Sequence, residues 1–205
     1  MRLGIFGGSF DPVHYGHLLL AECCREQCRL DRVWFVPAEI APHKIGRALT
    51  AGPQRVDMLR LAIGGHEAFA VSTVELDRGG VSYTVDTLEA IHAEQPGDEL
   101  FLLVGSDSLA DLPNWREPRR ICELALPVAV CRAGGPPADF GAIAPLVAAE
   151  RFEMIRGQQF EMPLVDLRAS EIRRRVADGL SIRYRTPRAV EKYIEAEGLY
   201  RGGAQ

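Results

Sequence analysis

Residues 3–17 of the chain read LGIFGGSFDPVHYGH, and this stretch decides the fold. Its first four residues are apolar or glycine, which is typical of a short strand buried on both faces. Gly7-Gly8 ends the strand, and a helical pattern then runs from about Gly16 to Arg29. A strand, a glycine turn and a helix in this order predict the first unit of a parallel sheet.

The rest of the chain continues this alternation. Right-handed crossovers between such units give an open, doubly wound α/β sheet with helices on both faces, and two last helices add a small helical C-terminal part. Strands are predicted at 33–36, 70–76, 100–104, 127–131 and 152–155, with a further apolar segment at 164–167; helices are predicted at 53–63, 83–94, 115–124, 169–178 and 187–197. Gly179 and Gly198 are predicted to end the last two helices.

The composition is that of an ordinary globular domain, with 205 residues, 47% apolar and 25% charged. We expect a single domain over 1–205, with a core over about 1–165 and the helical part over about 166–201. The net charge of −4 lacks the basic excess of a nucleic-acid binder, so we expect no nucleic-acid partner. No apolar run approaches the roughly 18 residues of a membrane span, and the few residues before the first strand lead us to expect no secretory leader. Five cysteines without a CxxC pair favour free thiols in the cytoplasm.

Two histidines carry the chemistry of the opening stretch. His14 and His17 lie three residues apart at a helix start, where such residues share a face, and Gly16 leaves that face without a further side chain. A helix start favours anions, and glycines let a phosphate approach the backbone. The spacing is neither that of a dinucleotide fingerprint nor that of a P-loop. We therefore predict hydrogen bonds to a transferring phosphoryl group; packing or capping, and a zinc site, are weaker alternatives.

Other polar residues follow the carboxyl ends of predicted strands, at the edge where open α/β sheets bind ligands. We expect one site along this edge. Its members include residues 7–9, Lys44, Asp107, Arg132 and Ser170.

The stretch GGSFDPVHYGH resembles the signature of the HxGH nucleotidyltransferases, specifically the bacterial nicotinate mononucleotide adenylyltransferases. Four other segments are similar to motifs of that family: PHK at 42–44, SYTVDTL at 82–88, GSDSL at 105–109 with the following PNW, and DLRASEIR at 166–173. The resemblance covers residues 4–201 and implies a Rossmann-like fold. The last motif departs from the pattern chiefly at Arg168, where the family usually has a small hydroxyl residue, and more mildly at Leu167 and Ala169.

The resemblance implies transfer of the adenylyl group of ATP to nicotinate mononucleotide, with pyrophosphate as the second product. Mg²⁺ would arrive on the nucleotide phosphates. The catalytic residues would be His14, His17 and Arg173. The ATP site would contain Gly7, Gly8, Ser9, Phe10, Gly16, Gly105, Asp107, Arg132 and Ser170. The mononucleotide site would contain Lys44, Tyr83, Thr84, Asp107 and Trp115.

Within these sites the resemblance gives particular roles. Asp107 would accept hydrogen bonds from a ribose diol, Thr84 would bind the nicotinate carboxylate, and Trp115, which would open a helix, would stack on the nicotinate ring. Ser170 is predicted to cap the helix that carries Arg173. Two alternatives stay open: another phosphate acceptor (nicotinamide mononucleotide or phosphopantetheine), or a non-catalytic nucleotide-sensing module. The acid-to-amide preference and the oligomeric state, including a homo-oligomer, are also open.

Overall fold

The computed structural model describes residues 1–42, 46, 49–132 (the side chain of Arg132 excepted) and 138–202. Its described residues contain one six-stranded sheet of order β3-β2-β1-β4-β5-β6, with every pairing parallel. The strands are β1 (Arg2–Gly8), β2 (Arg32–Pro37), β3 (Phe69–Val71), β4 (Glu99–Gly105), β5 (Ala125–Arg132) and β6 (Gln159–Met162). The order reverses between β1 and β4, which is where ligands bind in such sheets.

Helices cover both faces of the sheet, so the predicted fold class is confirmed. Helix α2 packs against α9, and α4 packs against α6. The helices among the described residues are α1 (Tyr15–Gln27), α2 (Gly52–Ile63), α3 (Val74–Arg78), α4 (Thr84–Glu94), α5 (Ser106–Asp111), α6 (Pro118–Leu124), α7 (Ala149–Arg156), α8 (Ala169–Ala177) and α9 (Arg188–Ala196), and two short 3-10 helices cover Leu112–Asn114 and Ala144–Leu146.

The central strands are buried on both faces, as their continuous apolar runs predict. In β4 every residue from Leu100 to Val104 is buried, and Leu3 and Ile5 of β1 are buried beside it. The glycines predicted to end α8 and α9 do so with φ of 69° and 63°, a region in which glycine has no Cβ penalty. At the end of α8, the amide of Leu180 donates to the carbonyl of Arg175 and so closes the last turn.

The strand predicted at 152–155 is wrong. Residues 152–155 lie in helix α7, where the buried Ile155 and the partly buried Phe152 are three residues apart and face the core together. The last strand is instead β6 (Gln159–Met162), and 164–167 forms no strand. A short apolar run fits a buried strand and one turn of a helix equally well, which explains why part of α7 was predicted as a strand.

Two further boundaries differ from the prediction. The strand expected at 70–76 ends at Val71, and α3 begins at Val74, where the Thr73 hydroxyl donates to Asp77 (2.7 Å) across the first turn. The helix expected from Trp115 begins only at Pro118, a residue that suits the first turn of a helix. Trp115 therefore lies between a 3-10 helix and α6, and α5 before it was not predicted.

Candidate active site

The predicted site residues of β1 and β4 lie side by side at the carboxyl edge of the sheet. Strand β1 ends at Gly8, and the neighbouring β4 ends at Gly105. Asp107 follows in the first turn of α5, exposed and without a hydrogen bond or ion pair to any described residue. Helix α1 starts a few residues after β1 and brings His14 and His17 to this edge.

The two histidine rings form a stacked pair. Their centroids are 3.7 Å apart, and their planes differ by 23°. The main-chain N–H of His14 donates to Nδ1 of His17 (3.2 Å). Since Nδ1 of a neutral His17 is thereby an acceptor, its proton is on Nε2. His17 Nε2 can therefore act as a hydrogen-bond donor.

His14 is the more buried member of the pair, with 6% of its surface exposed. Burial disfavours the charged imidazolium and lowers the pKa of His14 to about 4. Its Nδ1 has no hydrogen-bond partner among the described residues. At neutral pH His14 is therefore an uncharged imidazole with an unused nitrogen.

Aromatic side chains hold His17 from behind. The centre of its ring lies 5.1 Å from that of Phe10, with the two planes at 72°, and 6.0 Å from that of Phe6. Phe10 is 2% exposed, packs against Phe35 as well, and has a φ of 47°. Its side chain thus belongs to the core, and a contact of Phe10 with ATP would come from its main chain.

The glycines of the opening motif serve different purposes. A Cβ on Gly8 would lie 3.0 Å from Cζ of Phe10, and one on Gly16 would lie 3.1 Å from the His14 ring. These two glycines make room for the protein's own side chains. By contrast, a Cβ on Gly7 or Gly105 would meet nothing within 4 Å, so the space in front of these residues is open to a ligand.

The start of α1 has already used some of its main-chain donors. The amide of Tyr15 donates to the carbonyl of Arg185 (3.2 Å), and that of His14 is taken by His17. An anion at the start of α1 would therefore be bound more by the two imidazoles, and less by main-chain amides, than the general affinity of helix starts for anions predicts.

Helix α8 places Arg173 against the same motif. The Arg173 guanidinium donates through Nη1 to the carbonyl of Asp11 (2.7 Å). The prediction that Ser170 caps this helix is wrong: Arg168 is the N-cap residue, without a side-chain cap, and Ser170 lies in the first turn. The side chain of Arg168 is 68% exposed and pairs with Asp166 at 3.4 Å.

The residues predicted for the mononucleotide lie on two neighbouring segments. Tyr83 precedes α4, whose first residue is Thr84. The Arg116 guanidinium, one residue after Trp115, lies 4.8 Å above the centre of the Tyr83 ring. Nε1 of Trp115 donates to Asp111 at 3.2 Å. Lys44 and the side chain of Arg132 lie outside what the structure describes; Arg132 itself ends β5.

Among the residues that the structure describes, no group of three or more His, Cys, Asp or Glu side chains could hold a metal ion. No helix in the described part of the chain is long and apolar enough to cross a membrane.

Comparison with known proteins gives a consistent result. Residues 5–175 match the family described as cytidylyltransferase-like. The chain belongs to this family. A protein of Thermomicrobium roseum named probable nicotinate-nucleotide adenylyltransferase is 49% identical over 200 residues, which cover 98% of this chain and 92% of the relative. A protein of the same name from Thermus thermophilus is 46% identical, with 98% of this chain and 100% of the relative covered.

A solved structure shares the fold. The nicotinic acid mononucleotide adenylyltransferase of Plasmodium falciparum, complexed with NaAD, superposes with a TM-score of 0.71 at 17% sequence identity, over 97% of each chain. This likeness shows the fold, and the family match with the curated relatives confirms the family and the nucleotidyltransferase class that the motifs predict.

The sequence analysis missed a group of residues that support the motif. Arg55 is 1% exposed on α2, and its guanidinium donates to the carbonyls of Ser9 (2.9 Å) and Thr50 (2.8 Å). Burial lowers the pKa of Arg55, and the nearby Asp11 carboxylate opposes this shift. A signal was available: Arg55 shares a helix face with the apolar Met58 and Leu59, where a charged residue is unusual.

Proposed function

We propose that this protein transfers the adenylyl group of ATP to nicotinate mononucleotide, giving nicotinate adenine dinucleotide and pyrophosphate in NAD biosynthesis. The observation that carries the proposal is the stacked His14–His17 pair at the switch point of the sheet. The names of relatives that are 46–49% identical over 98% of the chain support the choice of acceptor.

The reaction is an in-line displacement. An oxygen of the mononucleotide phosphate attacks the α-phosphorus of ATP, the bond from that phosphorus to the bridging oxygen breaks, and pyrophosphate leaves with the electron pair. Because the nucleophile is already an anion, no general base is needed. Positioning and charge stabilisation supply the catalysis.

The imidazoles act as donors to the ATP phosphates. His17 presents Nε2–H, since its Nδ1 is occupied by the amide of His14. His14 is uncharged in the free protein, and a phosphate bound beside it raises its pKa by favouring the charged form. The donor strength of the pair therefore increases when the polyanion arrives.

We assign the remaining ATP contacts to residues along the carboxyl edge of the sheet. Arg173 neutralises the leaving pyrophosphate, Ser170 binds it from the first turn of α8, and the open space at Gly7 and Gly105 admits the nucleotide. Asp107, exposed and unpaired among the described residues, accepts the ribose hydroxyls. Gly8, Ser9, Phe10 and Gly16 contribute through main chain or by supporting the histidines, and Arg132 is the last residue of β5 at this edge.

The mononucleotide occupies the side of α4. The start of that helix, with Thr84, suits the nicotinate carboxylate. Trp115 stacks on the ring, and Tyr83 and Lys44 complete the subsite. ATP enters as its Mg²⁺ complex, and the metal neutralises phosphate charge there, with its ligands supplied by the nucleotide.

We further propose a single domain over 1–205, with a core at about 1–165 and a helical part at about 166–201. Ile172 and Val190 of the helical part belong to the same buried cluster as β1 and β4, which supports one core. We also propose a cytoplasmic location, with which the five free cysteines agree. We propose no nucleic-acid or membrane partner.

Pyrophosphate release tests the proposal. Purified protein is incubated with Mg²⁺, ATP and one of three acceptors: nicotinate mononucleotide, nicotinamide mononucleotide or phosphopantetheine. We expect the largest kcat/KM with the nicotinate acceptor. A larger value with another acceptor would reassign the substrate, and no release with any acceptor would favour a nucleotide-sensing module.

The role of His17 has its own test. His17→Ala removes a transition-state donor, and we expect kcat to fall by about two to three orders of magnitude. His92→Ala, on the last turn of α4, is the matched control and should leave kcat unchanged. Near-normal turnover of His17→Ala would remove this residue from the mechanism.

A further inference from the structure

Two arginines fix the main chain that leads into the histidine pair. Arg55 donates to the carbonyl of Ser9 (2.9 Å), and Arg173 donates to the carbonyl of Asp11 (2.7 Å). They come from α2 and α8, which are far apart in sequence. The loop of residues 9–14, which contains a turn at Asp11 and Pro12, is therefore also held from outside.

The Asp11 carboxylate is a third anchor of this loop. It is 2% exposed, and a buried carboxylate needs hydrogen bonds to offset its lost hydration. Its Oδ1 accepts from the hydroxyl of Tyr200 at 2.6 Å, and its Oδ2 accepts from the amide of Thr50 at 3.3 Å. Both partners lie outside the loop, so Asp11 ties the loop to two other parts of the chain.

Tyr200 is held firmly in its place. It follows α9 and has a φ of 62°, a left-handed conformation that an aromatic residue keeps only where its surroundings impose it. The amide of Leu199 donates to the carbonyl of Ile194 and fixes the turn before it. Burial and the neighbouring Asp11 carboxylate raise the pKa of Tyr200, so the phenol keeps the proton that it donates.

We propose that Tyr200 is a positioning residue for the transfer reaction, which acts through Asp11 to hold the loop of residues 9–14 and hence the rings of His14 and His17. This inference rests on the proposed function. The physical reason is that transition-state donors must be held within about 0.5 Å of their working positions. A displacement of about 1 Å can lower a rate by two orders of magnitude.

A purely structural role would give a different result. It would lower the unfolding temperature and leave the turnover of the folded protein unchanged. The chain offers a matched control for this distinction: the hydroxyl of Tyr193 on α9 donates to Asp57 of α2 at 3.2 Å, and Tyr193 makes no described hydrogen bond to the loop.

The first experiment compares Tyr200→Phe with Tyr193→Phe, at a temperature well below unfolding, in the pyrophosphate assay. Each substitution removes one hydroxyl and nothing else. We expect Tyr200→Phe to lower kcat by about tenfold and to change each KM by less than about twofold. Tyr193→Phe should leave kcat and both KM values within about twofold of the original protein. Equal kcat values for the two variants would overturn the proposal.

A double variant tests whether Tyr200 acts through Asp11. Asp11→Ala removes the acceptor, so adding Tyr200→Phe to it should cause no further loss of kcat. A further tenfold loss in the double variant would show that Tyr200 acts by another route and would overturn the proposal.

Histidine ring signals in NMR spectra supply a readout without substrates. We expect Tyr200→Phe to shift the signals of His14 and His17 and to leave those of His66 and His92 in place, whereas Tyr193→Phe should shift neither His14 nor His17. Unchanged His14 and His17 signals in Tyr200→Phe would overturn the coupling. Absence of pyrophosphate release by the unaltered protein would instead contradict the proposed function, so the two failures are distinguishable.

Discussion

The two glycines Gly7 and Gly8 are neighbours in sequence but differ in what a side chain would meet. Beside Gly8 the ring of Phe10 fills the space, whereas nothing lies within 4 Å of a Cβ on Gly7. The protein's own packing therefore requires Gly8, whereas the space beside Gly7 is free for a ligand. Sequence reasoning assigned both glycines to the nucleotide, because it could not tell which side of the strand each residue faces.

A pair of substitutions separates these two purposes. Gly8→Ala should lower the free energy of unfolding by about 1–3 kcal/mol, the usual cost of overpacking a core. Gly7→Ala should keep the free energy of unfolding within about 0.5 kcal/mol of the original value and should raise the KM for ATP. Urea unfolding and steady-state kinetics measure the two quantities. A Gly7→Ala variant with unchanged kinetics would remove Gly7 from the nucleotide site.

The burial of His14 predicts a pH-dependent stability. The pKa of His14 is about 4 in the folded protein and 6.5 when unperturbed, so the unfolded state binds more protons between these values. His14 therefore does not reduce stability above pH 6.5, and it destabilises the fold as the pH falls toward 4. From pH 7 to pH 5, the free energy of unfolding should decrease by about 2 kcal/mol more in the original protein than in His14→Asn. Equal decreases in urea unfolding at the two pH values would contradict the buried, neutral state of His14.

At the scale of elements, helix α8 decides which of three consecutive arginines faces the site. Arg173 reaches Asp11, Arg175 donates to the carbonyl of Ser181, and Arg174 is exposed without a described partner. Consecutive residues on a helix point about 100° apart, so the three arginines cannot all face the loop. The sequence motif singled out Arg173, and the structure gives that residue the contact with the loop.

Arg173 and Arg174 accordingly form a natural test pair. Arg173→Gln should lower kcat by about two orders of magnitude, since it removes a charge from the leaving pyrophosphate and a donor from the loop. Arg174→Gln removes the same charge from the neighbouring residue, and its kcat should stay within about twofold of the value for the original protein. Similar losses in the two variants would point to a general effect of charge and would exclude a specific role for Arg173.

The order of the sheet assembles the site at the scale of the whole molecule. Strands β1 and β4 end side by side at one edge, Arg173 of α8 contacts the loop after β1, and the C-terminal Tyr200 reaches the same loop. A ligand bound across these elements stabilises the folded state against the unfolded one. At a free concentration of 100 times its Kd, the stabilisation is about 2.7 kcal/mol.

Thermal unfolding measures this linkage. A non-hydrolysable analogue of ATP with Mg²⁺, at 100 times its Kd, should raise the unfolding temperature by about 5–11 °C, because a chain of this size gains about 2–4 °C per kcal/mol of stabilisation. Gly7→Ala should show a smaller shift at the same ligand concentration, whereas Arg174→Gln should show the full one. No shift in the original protein at any ligand concentration would contradict a nucleotide site.

By itself, the sequence determined the fold class, the family and the position of the candidate site along the sheet edge. These follow from local information: apolar runs bounded by glycine, the HxGH spacing, and motifs that each directly follow a strand. The strand at 70–76 was predicted too long, since α3 begins at Val74, and the run at 152–155 was wrongly predicted as a strand, because so short an apolar run does not distinguish a strand from a helix. The cap of α8 was also misplaced, since a motif gives residue types and not backbone angles.

Only the tertiary structure decided how the site is held. The stacking of His14 on His17, the aromatic support behind them, and the anchoring of Asp11 by Arg173, Thr50 and Tyr200 join residues up to 189 positions apart. Burial lowers the pKa of His14, and burial is a property of the packed chain. Such contacts depend on which elements meet in space, so no pattern within a short stretch of sequence contains them.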